Sequence, residues 1–130
     1  MESKLVKSFL NDRFAEHVGI KLVEIGNGYA LAELALTEKH LNGLDKIQGG
    51  VIFTLADYAF GLASNSQGFI TLGLNVNISY FKSPTGKVIR AEAKEISAQN
   101  KICGYQVNVT DEDGSLVASF NGLGYRKILN

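Results

Sequence analysis

The run GGVIFTLADYAFGLASNS, residues 49–66, has the length of a helix and carries one charge, Asp57, with no lysine or arginine inside it. A helix that is apolar all round belongs in an interior, so the rest of the chain has to supply a layer that covers it. On such a helix an unpaired carboxylate costs several kcal/mol unless it is hydrogen-bonded, solvated through a cleft or protonated. Chemistry is one reason to keep it there. A rim position facing water, or an ion pair reaching in from elsewhere in the fold, is the other.

The flanking segments predict the cover. Leu5, Phe9 and Leu10, set among charges, predict a short amphipathic N-terminal helix that ends before Gly19. Strands follow at 20–25 and 29–36, joined by Gly26-Asn27-Gly28, where the residues accept positive φ. The second alternates poorly, because Ala30, Ala32 and Ala35 are interleaved with Leu31, Leu34 and Leu36. Residues 37–47 form a polar connection with an Asn42-Gly43 turn. Beyond Gly68 the period drops to two. Leu72, Leu74, Val76, Ile78 and Tyr80 oppose Thr71, Gly73, Asn75, Asn77 and Ser79, which predicts a strand with one apolar face. Pro84 and Gly86 end it, and three more strands are predicted at 88–96, 102–110 and 116–125. Strands with one apolar face each, and helices collected together, point to an α+β layer: a single domain over residues 1–130 with an antiparallel sheet against its helices.

Charge and motifs exclude several functions. Thirteen basic residues balance thirteen acidic ones, so no global field draws in nucleic acid or an anionic membrane. The charged N-terminus is unlike a secretory signal, and 49–66 is too short and glycine-rich for a membrane span, so a soluble cytoplasmic protein is expected. A lone cysteine, Cys103, allows no internal disulfide and no cysteine-cluster zinc site. His17 and His40 are isolated, and no G-x-S-x-G, P-loop or G-x-G-x-x-G is present, so no metal and no separate cofactor is expected.

Gln48-Gly49-Gly50 stands where the helix must begin, and the first N–H groups of a helix have no internal partner. Backed by the helix dipole, they suit a carbonyl oxygen that becomes negative as a nucleophile adds. A tight loop-to-helix turn would also use two glycines. Asp57 lies eight residues after Gly49, about 12 Å along a helix, too far to act on a carbonyl held at Gly49 of the same subunit. The spacing therefore hints at a site shared between subunits. Asn42 and Asn65 are further polar candidates, with a turn or cap as the competing reading. Lys82, Lys87 and Arg90 around Pro84, with Arg126 and Lys127, are the cations available to phosphates. Phe53, Tyr58 and Phe60 line either an acyl pocket or the core.

The stretch HLNGLDKIQGGVIFTLADYAFGLASNSQG, with its L-N-G turn, paired glycines, L-A-D core and terminal N-S-Q-G, resembles the signature of the hotdog-fold acyl-CoA thioesterases of the phenylacetate-pathway type. That resemblance implies a long central helix wrapped by a curved antiparallel sheet, chains paired edge to edge into a homodimer, and dimers associating into a homotetramer. It implies hydrolysis of a short-chain or aryl-acyl-CoA, with coenzyme A part of the substrate and lying along the subunit interface. Asp57 becomes the general base or nucleophile, Gly49 the backbone donor from the partner subunit, and Asn42 a residue that places the water or thioester. Gln48 occupies a position that is usually histidine, and keeps hydrogen bonding without a change of charge. Gly73 stands where some relatives carry a hydroxyl. Gly50, Asn65, Lys82 and Arg90 are the candidate substrate contacts. A non-catalytic acyl-CoA binder or sensor of the same fold is the competing function; a hotdog dehydratase would want a histidine in or beside the helix.

Overall fold

The computed structural model describes residues 4–128. Two short helices, α1 (Lys4–Leu10) and α2 (Arg13–Val18), precede the hairpin β1 (Lys21–Gly26) and β2 (Tyr29–Ala35). A loop containing a 3₁₀ turn, Glu38–His40, leads to α3 (Gly49–Ser64), followed by β3 (Phe69–Tyr80), β4 (Val88–Ala98), β5 (Ile102–Thr110) and β6 (Leu116–Ile128). All six strands join one antiparallel sheet in the order β1-β2-β4-β5-β6-β3, with α3 across its inner face. This is the hotdog arrangement the resemblance implied. No helix among the described residues is long and apolar enough to cross a membrane.

α3 meets the sheet through small side chains. Ala56, Ala59 and Ala63 of the helix and Ala30, Ala32, Ala91 and Ala93 of β2 and β4 are all fully buried. Alanine on both sides lets the helix lie close to the strands, so Leu55, Ile89, Val107 and Phe120 pack around the contact rather than hold it open. The poor alternation of β2 has its cause here: Ala30, Ala32 and Leu34 point at α3, while Leu31 and Glu33 lie on the other face.

Two expectations are corrected. The N-terminal helix is two helices, because Asp12 starts a new one: its Oδ1 accepts from the Ala15 N–H at 2.9 Å, and Gly19, at φ 100°, ends it. Nor does β3 have a single apolar face. A bulge at Leu74 shifts the register between Gly73↔Gly124 and Asn75↔Leu123. Val76 and Ile78 pack on the core, whereas Leu72 and Leu74 are exposed.

His40 locks the loop before α3. Its Nδ1 accepts from the Thr37 N–H at 3.0 Å and its Nε2 donates to the Val18 carbonyl at 2.7 Å, so both ring nitrogens are engaged by backbone. The hairpin turn is pinned to the far end of α3, where the Gly28 N–H donates to Ser66 Oγ at 2.9 Å. β1 and β3 are the sheet edges, and β3 presents a 12-residue edge with no strand beside it among the described residues.

Candidate active site

The loop into α3 is built to deliver its first peptide groups. Asn42 Oδ1 accepts from the Leu44 N–H at 2.8 Å and the Lys46 N–H at 3.1 Å, an Asx turn that brings Leu41 opposite Ile47. Gln48 then caps the helix: its Oε1 accepts from the Val51 N–H at 3.2 Å. A Cβ on Gly50 would lie 2.6 Å from that oxygen, so a bare residue there lets Gln48 fold back as the cap. With Val51 served, the N–H groups of Gly49 and Gly50 carry no hydrogen bond among the described residues. Gly49 borders a groove of about 260 Å³ lined also by Ile47, Ile52, Tyr80, Phe81, Lys82 and Ser83. Tyr80 reaches it from the end of β3, its hydroxyl donating to the Gly49 carbonyl at 3.0 Å.

Asp57 lies two turns along the same helix on the stripe the sheet leaves uncovered, with Gly50, Thr54, Tyr58 and Gly61. The helix is thus not buried all round, and its charged residue occupies the open side. Among the described residues no cation pairs with Asp57 and no group hydrogen-bonds it. Loss of solvation against the protein raises its pKa above the usual carboxylate value, and the Asp12 carboxylate, held at the start of α2, pushes it further the same way. A proton acceptor with raised affinity and no counter-ion suits general-base work.

The remaining candidates part company. Asn65, 1% exposed, is corrected from substrate contact to internal strut. Its Nδ2 donates to the Gly61 carbonyl at 2.7 Å and its Oδ1 accepts from the Thr71 N–H at 2.8 Å, tying the end of α3 to β3. Arg90 lies apart from the groove: between Ile89 and Ala91, which face α3, it projects from the opposite face of the sheet and pairs with Glu33 at 3.2 Å. Lys82 does stand at the groove, pairing with Asp111 at 3.3 Å. Asp111 is a buried carboxylate that also accepts from the backbone N–H groups of Thr85, Gly86 and Glu112, fastening the loop after β3 to the turn after β5.

Sequence reasoning missed Tyr80, Asp12 and Asp111 as site-shaping residues. Parity along β3 puts Tyr80 on the face of Val76 and Ile78, a signal that was legible. Its reach to Gly49 depends on the packing of β3 against α3 and was not.

The geometry joins unengaged helix-start donors, a groove and an unpaired carboxylate, and comparison with known proteins decides the class. Residues 47–118 match the family described as the Thioesterase superfamily. The chain belongs to that superfamily. A putative esterase of Archaeoglobus fulgidus is 39% identical over 124 residues, 93% of this chain and 80% of that protein. The acyl-coenzyme A thioesterase PaaI of Escherichia coli is 31% identical over 118 residues, covering 89% and 84% of the two chains. The solved structure of the PaaI protein from the E. coli phenylacetic acid degradation operon superposes with a TM-score of 0.88 at 27% identity, over 92% of this chain and 88% of that one. Thioester hydrolysis, the reaction class expected from the sequence, stands with this membership.

Proposed function

We propose that this chain hydrolyses a short-chain or aromatic acyl-CoA at a site to which two subunits contribute. What carries the reading is the placement, on one helix, of free N–H groups at Gly49 and Gly50 and an unpaired Asp57 about 12 Å away. The oxygen and carbon of the carbonyl under attack are about 1.2 Å apart, so one copy of α3 cannot hold the carbonyl and attack it as well. Pairing along the open β3 edge sets two α3 helices side by side and reversed, Asp57 of one beside Gly49 of the partner subunit.

In this arrangement Asp57 removes a proton from water as the water oxygen adds to the thioester carbon, or adds to that carbon itself to give an anhydride that water then cleaves. In both routes the carbonyl oxygen gains negative charge, accepts from the Gly49 N–H under the positive end of α3, and the intermediate expels coenzyme A thiolate, which takes up a proton. Gln48 and Asn42 hold the loop that aims the donor. Lys82, which lines the groove, is the cation assigned to a coenzyme A phosphate. Leu72, Ile96, Leu123 and Tyr125, exposed on the outer face of the sheet, are the surface a second dimer would cover in a homotetramer.

Thiol release from short, long and aromatic acyl-CoAs, compared between wild type and Asp57→Asn, tests the reading. A loss of about 10²-fold or more on the best substrate is expected. Equal activity in both proteins refutes the assigned mechanism, and binding without turnover in both makes the chain an acyl-CoA binder.

A further inference from the structure

We infer that Tyr80 is a positioning residue for the oxyanion site, fixing the peptide between Gly49 and Gly50 so that the Gly50 N–H acts as a second donor beside that of Gly49. This rests on the thioesterase reading above. The Tyr80 hydroxyl donates to the Gly49 carbonyl at 3.0 Å. That carbonyl and the Gly50 N–H are the two ends of one planar peptide unit, so holding one end aims the other. An amide whose carbonyl accepts a hydrogen bond is also polarised, which strengthens its N–H as a donor.

The surroundings suit this role. Tyr80 is the last residue of β3, its backbone registered opposite Ala118, so the ring projects from a fixed strand. Its ring approaches to 3.4 Å of the point where a side chain on Gly49 would begin, a contact that glycine permits. Burial raises the phenol pKa, so the hydroxyl remains a donor throughout the neutral range. The residue is 48% exposed, so its hydroxyl is poorly placed to serve the core.

Tyr80→Phe keeps the ring and removes the bond. Losing a whole oxyanion donor costs about 10²–10³ in rate, and a donor that stays but loses its aim costs a part of that, so kcat should fall about 10-fold. KM should stay within about twofold and Tm within about 2 °C, since the change acts on the transition state and touches an exposed group. In the ligand-free protein the Gly49 carbonyl ¹³C and Gly50 ¹⁵N resonances should move. Unmoved resonances overturn the inference, as does an unchanged kcat with the resonances shifted. A fall in Tm together with a rise in KM reduces Tyr80 to a structural role and overturns it too. Wild type inactive on every acyl-CoA refutes the thioesterase reading and this inference with it, whereas an active wild type beside an unaffected variant refutes the inference alone.

Discussion

Replacing Asp111 by asparagine isolates what one carboxylate contributes to the loop bordering the groove. Burial alone would raise its pKa; the N–H groups of Thr85 and Glu112, the Lys82 ammonium and the Gly86 N–H outweigh that and bring it from 3.8 down to about 2. At about 1.4 kcal/mol per unit, such a shift corresponds to at most about 2.5 kcal/mol of folding stability. The cover over the carboxylate is one loop thick and Lys82 is a third exposed, so screening trims this to about 1.5–2 kcal/mol. Because the folded pKa lies below the unfolded one, the contribution is complete above about pH 4, near half at about pH 3, and lost on the way to about pH 2. Asparagine keeps the shape but turns an NH₂ group toward backbone donors, whichever way it is flipped. Asp111→Asn is therefore expected to cost about 2 kcal/mol at neutral pH, or about 6–8 °C in Tm. Urea unfolding of both proteins at one protein concentration, at about pH 7, 5 and 3, measures it. The gap should hold from pH 7 to 5 and shrink by about half at pH 3. A gap below about 0.5 kcal/mol at neutral pH, or one that ignores pH, refutes the reasoning.

Asp12→Asn keeps the α2 cap, since asparagine caps as well as aspartate, and removes a negative charge acting on Asp57. The acid limb of the kcat/KM–pH profile should move to lower pH with its plateau preserved, and a shift the other way refutes the coupling. Asn65→Ala should lower stability by about 1–3 kcal/mol through lost buried hydrogen bonds while leaving KM for acyl-CoA unchanged. A raised KM at unaltered Tm would restore Asn65 as a ligand contact.

Much of the fold was legible because one segment dominates it. A helix with a single charge demanded a cover, and the period-two runs after Gly68 supplied it in the order seen. Less legible was which residues face inward. Hydrophobicity marks Leu31 of β2 as core, but Ala30 and Ala32 are the residues that face the close-lying α3, and Leu31 between them is turned out. In β3 the bulge at Leu74 changes the parity of everything after it, and a single extra residue leaves no mark in the pattern. At the candidate site, Asp57 and Gly49 were singled out from their place on α3, a local property, and Gln48 from the resemblance. Asn65 was misplaced because the turn after α3 folds the Thr71 N–H of β3 back onto it, six residues away, and Tyr80 escaped notice because its partner, Gly49, is 31 residues distant.

The alanine floor beneath α3 has a consequence for how such a chain can change its diet. Alanine has nothing below it but glycine, so nothing in the patch that β2 and β4 present through Ala30, Ala32, Ala91 and Ala93 can be shortened to open room for a bulkier acyl group. Room that leaves the core intact lies on the open side of α3, around Thr54, Tyr58 and Gly61. Thr54 and Gly61 lie outside the core, and Tyr58 only packs against its edge. Substrate range can therefore drift by surface substitution while the framework stays untouched, and selection for a new acyl group need not pass through a less stable protein.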